Sequence, residues 1–259
     1  FRELAIGSAP PSAEQLQKAR HHFIGQLSIS DYYSAGRFEL DVVALLEQLF
    51  VKYDKVLMVG GSGMYIDAIV RGIDDLPTID TEIRAQIGQR LKDEGIDKLR
   101  EELSRLDPEY YNTADIVNPK RVLKALEVIA QTGKTYSSQR TGNVKKRPFE
   151  IVLVGLKMDR NKLYERIDRR VDVMLEMGLE NEARSLLPYK ELNSLNTVGY
   201  KEFFDFFEGK YDYDEAVRLI KRNSRRYAKR QMTWFSRYQQ MTWFDRDDEA
   251  GLRDFILNL

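Results

Sequence analysis

The apolar run Lys55-Val56-Leu57-Met58-Val59 passes directly into Gly60-Gly61-Ser62-Gly63-Met64-Tyr65. That order constrains the chain to a strand that ends in a tight glycine turn and opens a helix. Backbone N–H groups and the positive end of a helix converge at such a turn, and glycines let an anion approach closely. Ser62 adds a hydroxyl that can bond a phosphate, or a nucleophile attacking beside one. The same pattern also serves as a purely structural turn, so the turn alone leaves scaffold and anion site both open.

The surrounding patterns predict an α/β frame interrupted by helices. Before the turn, Phe38, Val42, Leu45, Leu46 and Leu49 recur at helical spacing between about Tyr33 and Phe50. A second frame strand is predicted over Phe149 to Leu156, where Ile151, Val152, Leu153 and Val154 form the continuous apolar run of a strand buried on both faces. Between the two strands the signals are helical. Ile83, Ile87 and Leu91 mark one helix; Ile96, Leu99, Leu103 and Leu106 mark another, with Gly95 breaking them apart. Asn118 as N-cap, Pro119 at the first helical position and Gly133 at the end frame a third, carrying Val122, Leu126 and Ile129. The expected organisation is a core of residues 1–76 and 149–259 with an all-helical insertion over 77–148. The insertion leaves through Leu76-Pro77 and returns through Arg147-Pro148, and mobility at these joints is expected to show as preferential proteolysis there.

Charge is informative through its placement. Lys+Arg and Asp+Glu are equal at 41 each, so net charge argues for no partner. Yet no acidic residue occurs between Ala216 and Phe244, while Arg218, Lys221, Arg222, Arg225, Arg226, Lys229, Arg230 and Arg237 are all basic. On a helical projection Val217, Ile220, Ser224, Tyr227, Gln231 and Trp234 share one side and the basic residues the other. A single-sign stripe of this kind suits an RNA backbone, the alternative being a solvated face. Trp234, Tyr238 and Trp243 add aromatic surface, which core packing also explains. Upstream, Arg166, Arg169 and Arg170 share one side of a helix predicted from Arg160 to Glu176, packed through Leu163, Ile167, Val171 and Met174. They can converge on one anion with bidentate geometry, or pair with Glu165 and Asp168.

Composition removes some classes. With no cysteine there is neither a disulfide nor a thiolate metal site, which fits a reducing cytosol. No run reaches the roughly 18 apolar residues that cross a bilayer. His21 and His22 are adjacent and project differently, which argues against a metal pair.

Five motifs occur in order: the Gly60 to Tyr65 turn, Gly72-Ile73-Asp74-Asp75-Leu76-Pro77, Asn118-Pro119-Lys120-Arg121-Val122, Asn196-Thr197-Val198-Gly199-Tyr200-Lys201 and Lys229-Arg230-Gln231-Met232-Thr233-Trp234. Together, from Ile6-Gly7-Ser8-Ala9 to about Asp245, the chain resembles the bacterial tRNA dimethylallyltransferases, which prenylate an adenine beside the anticodon. The resemblance implies a parallel-sheet core like that of phosphate-loop NTPases, with the helical insertion gripping the anticodon stem-loop. It implies that Ser62, standing where a threonine is usual, touches the attacking amine or the donor diphosphate. Gly60, Gly61, Arg166 and Arg170 would bind the diphosphate of dimethylallyl diphosphate. Contacts to tRNA would come from Arg84; from Lys120, Arg121, Val122, Leu123 and Lys124; from Asn196, Thr197, Val198, Gly199, Tyr200 and Lys201; and from Lys229, Arg230, Gln231, Met232, Thr233, Trp234, Phe235 and Ser236. For Tyr200, stacking on a base and simple core packing both stay open.

The resemblance further implies Mg²⁺ on the diphosphate, a monomer and a cytoplasmic location. Family members carry a phosphate-binding loop and then an aspartate, the expected general base, ahead of the stretch that Phe1-Arg2-Glu3-Leu4 resembles. These 259 residues alone are therefore expected not to transfer a prenyl group. Three rival readings are an adenylate isopentenyltransferase-like enzyme, a phosphate-loop kinase and a non-catalytic RNA-binding module. The first needs neither insertion nor stripe, and the second gives the Lys229 to Trp234 block no role. The third would bind an anticodon stem-loop without prenyl transfer.

Overall fold

The computed structural model describes all residues from Phe1 to Leu259. By internal contact the chain falls into two units, Ser34–Gly60 with Met64–Glu150, and Phe1–Tyr33 with Gly61–Gly63 and Ile151–Leu259. Residues 34–60 and 64–76, expected in the core, thus group with the helical segment.

In the helical unit, α1 (Ala35–Phe50) starts at Ser34, whose side chain accepts from the Arg37 amide, and buries Ala35, Glu39 and Val42. Phe38 stacks on Tyr65 of α2 (Gly63–Val70) with ring centroids 4.5 Å apart. Next come α3 (Thr81–Glu94), α4 (Ile96–Leu106) and α5 (Pro119–Thr132); Gly95 separates the first two and Asn118, Pro119 and Gly133 bound the third, as read from the sequence, while Asp80 caps α3 and Asp107 ends α4. Ile87, Leu99, Leu103, Tyr110, Val122, Ala125 and Leu126 form an apolar core of their own. Desolvation pushes the buried Asp107 carboxyl up, but hydrogen bonds from Ser137 and the Tyr110 amide outweigh it and hold its pKa below the usual value.

The two segments that lead into and out of α3 to α5 are laced together. Buried Glu39 accepts from the Ile73 amide at 2.9 Å and from Arg147 Nη2 at 2.7 Å, with Lys145 Nζ at 3.4 Å. Arg147 also donates to the carbonyls of Ala68 and Ile69. Asp74 Oδ1 accepts from the Thr141 amide and hydroxyl and from the Gly142 amide, and the Lys145 amide donates to the Arg71 carbonyl. This lacing ties the outgoing and returning segments to each other within the helical unit.

The second correction concerns Lys55 to Val59. These residues form no ladder, and Leu57 and Val59 are 76% and 84% exposed. An apolar run becomes a strand only when a neighbour pairs with its N–H and C=O groups, and no strand of this chain does so.

In the other unit, β1 (Val154–Lys157) is followed by α6 (Arg160–Glu176), capped by Asp159, and then by α7 (Leu179–Leu186), α8 (Tyr200–Phe207) and α9 (Tyr213–Phe235). The strand β2 (Thr242–Asp245) pairs parallel to β1 in the register Val154 with Thr242 to Lys157 with Asp245, and α10 (Glu249–Leu257) ends the chain. The ladder is shorter than the predicted Phe149 to Leu156 strand, and Val152 and Leu156 are exposed. With a single neighbouring strand, β1 is not buried on both faces. The core lies instead among helices, built from Leu4, Ile29, Val171, Leu179, Leu186, Leu195, Tyr200, Phe203, Phe204 and Ile220. Glu182 ties the N-terminal segment to it, accepting from the Ile6 and Gly7 amides and from the Tyr200 hydroxyl.

Replacing Arg147 by Met is expected to lower the unfolding free energy by about 3 kcal/mol, because it strips the main partner from a buried carboxylate. Urea denaturation checks this, and a loss below ~1 kcal/mol would show that the lacing is not structural.

Candidate functional site

The glycine turn is seated on the C-terminal part of α9. Gln231 Nε2 donates to the Gly61 carbonyl at 2.8 Å, and a Cβ on Gly61 would lie 3.0 Å from Gln231 Cδ and closer still to Nε2. A Cβ on Gly63 would lie 2.5 Å from Cε2 of the Trp234 indole. A Cβ at Gly63 would collide with the indole and one at Gly61 would have to displace the Gln231 carboxamide, so glycine serves here for close approach and not for an unusual φ. The Arg237 guanidinium sits 4.1 Å from the Trp234 ring centroid, and Arg237 Nε donates to the Trp234 carbonyl. Arg237 lies beyond the end of α9, off the stripe to which the projection assigned it. Ser62, between the two seated glycines, is exposed.

Helix α9 divides as the periodicity predicted, with two corrections. Ala216 and Ile220 are buried and Gln231 and Trp234 meet the turn, but Tyr227, placed on the packing side, is 45% exposed beside Arg230. The stripe is also narrower than eight cations. Arg218 pairs with Glu215, Lys221 with Asp172, and Arg225 with Asp168 at 2.5 Å. Arg226, Lys229 and Arg230 stay exposed without an acidic partner, at i, i+3 and i+4. Arg226 belongs to this cluster although the motif reading did not single it out; the absence of acids around it was the available signal.

The same pairs fix α6 against α9. Asp168 with Arg225 and Asp172 with Lys221 make the helices antiparallel. Asp168 faces α9, and Arg166, Arg169 and Arg170, on other sides of α6, remain exposed without pairing with it. In this register Arg166 is level with Tyr227 and Arg170 with Asn223, roughly 6 and 12 Å of helix axis from Gln231. Measured along that axis alone, Arg166 is nearer than Arg170 to the level of Gln231.

The remaining predicted residues sort by exposure. Asn196, Thr197 and Lys201 are exposed, and Val198 packs against the core. Gly199 holds φ +101°, which favours glycine, while Tyr200 is 1% exposed. Burial and the hydrogen bond to Glu182 raise the Tyr200 pKa, so this ring is core and not a stacking platform. On the helical unit, Lys120 and Arg121 are exposed on the first turn of α5, with Arg121 3.7 Å from Asp115. Val122 is fully buried, which turns its side chain away from any RNA, and Leu123 is partly buried against the same core. Lys124 is half-buried; desolvation lowers its pKa, with Glu127 opposing and Arg84 adding. Arg84 lies 3.8 Å from Glu127. In the last block, Lys229, Met232, Thr233 and Ser236 are exposed and Phe235 is partly buried, while Gly60 is exposed ahead of the turn.

No group of three or more acidic, His or Cys side chains is arranged to hold a metal, and no helix is long and apolar enough to cross a membrane.

Comparison with known proteins identifies the family. The family model described as IPP transferase matches residues 1–238. The tRNA dimethylallyltransferase 1 of Bacteroides fragilis is 50% identical over 256 residues, covering 99% of this chain and 85% of the relative. The crystal structure of the tRNA isopentenylpyrophosphate transferase of Bacillus halodurans superposes with a TM-score of 0.68 at 33% identity, over 99% of this chain and 84% of that one. A eukaryotic dimethylallyltransferase acting on tRNA shares the fold at a TM-score of 0.76 and 24% identity, over 98% of this chain and 69% of that one. A family match over most of the length, together with half-identical relatives, shows that this chain belongs to the IPP transferase family.

Proposed function

We infer that the protein transfers a dimethylallyl group from dimethylallyl diphosphate to the exocyclic N6 of the adenine 3′ of the anticodon in tRNA. Beyond family membership, one observation carries this reading: a glycine turn suited to an anion is seated on the same helix that presents the unpaired cations Arg226, Lys229 and Arg230. A donor diphosphate and an RNA backbone thus have adjoining supports. The core is read as the phosphate-loop NTPase type, and the helical segment 77–148 as a subdomain that touches the tRNA through Arg84, Lys120, Arg121 and Lys124.

In the reaction a bond forms from N6 to the allylic carbon while the carbon–oxygen bond breaks and diphosphate leaves with the electron pair. The amine proton passes to a general base. Ser62 is exposed in the turn, where its hydroxyl can bond the incoming amine or a diphosphate oxygen. Arg166 and Arg170 supply fork-shaped donors for the leaving group. The adenine has to leave its stack to reach the donor, so phosphate contacts from α9 serve to hold the loop while the base is presented. A Mg²⁺ ion on the donor would neutralise charge on the leaving diphosphate. The side chains present do not fit a protein-held metal cage, so no step here runs through the ion. A monomer acting in the cytoplasm completes the reading.

In the full-length protein, Ser62→Ala is expected to lower kcat/KM for prenyl transfer about 10²-fold. Arg170→Ala is expected to raise the donor KM roughly 10-fold, with tRNA binding unchanged. Replacing Lys229 and Arg230 together by Ala should weaken tRNA binding and flatten its dependence on log salt by about 1.5. Transfer of labelled dimethylallyl group to tRNA and filter binding across a salt series measure all three. Stem-loop binding without any transfer by the wild type would instead favour an RNA-binding module.

A further inference from the structure

The block Lys229 to Ser236 matches one continuous family motif, yet its side chains point to two different jobs. Lys229 and Arg230 are exposed cations, while Gln231 and Trp234 are turned to the glycine turn. The Gln231 carboxamide spends an N–H on the Gly61 carbonyl at 2.8 Å. The Trp234 indole is already occupied by Gly63 and by the Arg237 guanidinium, which removes it as a platform for a base. We propose that Gln231 and Trp234 are positioning residues for the donor-binding turn and that they do not contact the tRNA.

The physical argument runs through the peptide plane. In a trans peptide the C=O of one residue and the N–H of the next point in opposite directions. No peptide bond in the chain is cis. When Gln231 fixes the Gly61 carbonyl against α9, the Ser62 N–H is therefore aimed away from α9, to the side where Ser62 is exposed. That N–H makes no backbone hydrogen bond within the chain. It is thus a pre-oriented donor for an anionic oxygen, held in place without reorganisation. Trp234 fixes the other side of the same residue, because the backbone at Gly63 rests on the indole. Loss of Gln231 frees the peptide between Gly61 and Ser62 to rotate, and the donor, not the RNA, loses its partner.

This inference rests on the prenyl-transfer reading, and the test separates the two. In the full-length protein, Gln231→Ala and Trp234→Phe are compared with the Lys229 and Arg230 double variant for donor KM, kcat and tRNA dissociation constant. Thermal melting confirms that each variant is folded. The expected result is a 10-fold or greater loss in kcat over donor KM, with the tRNA dissociation constant within 2-fold of wild type and an unchanged salt slope. Gly61→Ala, whose Cβ would displace Gln231, is expected to reproduce the Gln231→Ala defect, and the double variant to be no worse than either single one. A 10-fold weaker tRNA complex, an unchanged donor parameter, or additive effects of Gly61→Ala and Gln231→Ala would each overturn the proposal. A wild type that transfers no prenyl group would instead sink the reading beneath it.

Discussion

The close seating of Gly61 and Gly63 on Gln231 and Trp234 is the contact on which the site depends. It joins two segments far apart in sequence, where a Cβ would displace the Gln231 carboxamide at Gly61 and collide with the indole at Gly63. In consequence the turn's exposed serine has a defined orientation, and α9 supports both the turn and the cationic cluster. A hydrogen bond of this kind contributes only about 1 kcal/mol of net stability. Its value lies in direction, since it decides which way a peptide N–H points.

Helix α9 separates structural charge from available charge. Lys221 and Arg225 are consumed in holding α6, and Arg218 pairs within its own first turns. These partly exposed pairs are worth little energetically, but they fix the register of two helices. In the helical unit the same economy places Val122 and Leu123 inward while Lys120 and Arg121, on the same turn, face out.

Much of this was legible in the sequence. The bounds of α6 are those the periodicity predicted, and Asn118, Pro119 and Gly133 frame α5 because capping is a local matter. The strands were legible only in part, since a ladder depends on a partner elsewhere: β1 falls at the end of the predicted Phe149 to Leu156 run, β2 was not foreseen, and Lys55 to Val59 has the composition of a strand but pairs with nothing in the chain. The site was legible as motifs and less so as side chains. A motif carries a whole block across, whereas a helix turns its residues alternately inward and outward, so Val122 and Tyr200 fell inside and Gln231 and Trp234 met the turn. The projection had already put Gln231 and Trp234 on the packing face; only their partner was invisible, because proximity between residues 61 and 231 is a property of the fold.

The most direct measurement is a crystal structure of the full-length protein with inorganic diphosphate and an anticodon stem-loop bound. The account predicts the Gly61 carbonyl still bonded to Gln231, a diphosphate oxygen on the Ser62 N–H, and RNA phosphates on Arg226, Lys229 and Arg230. A structure with Gln231 or Trp234 swung away from the turn and against the RNA would contradict it.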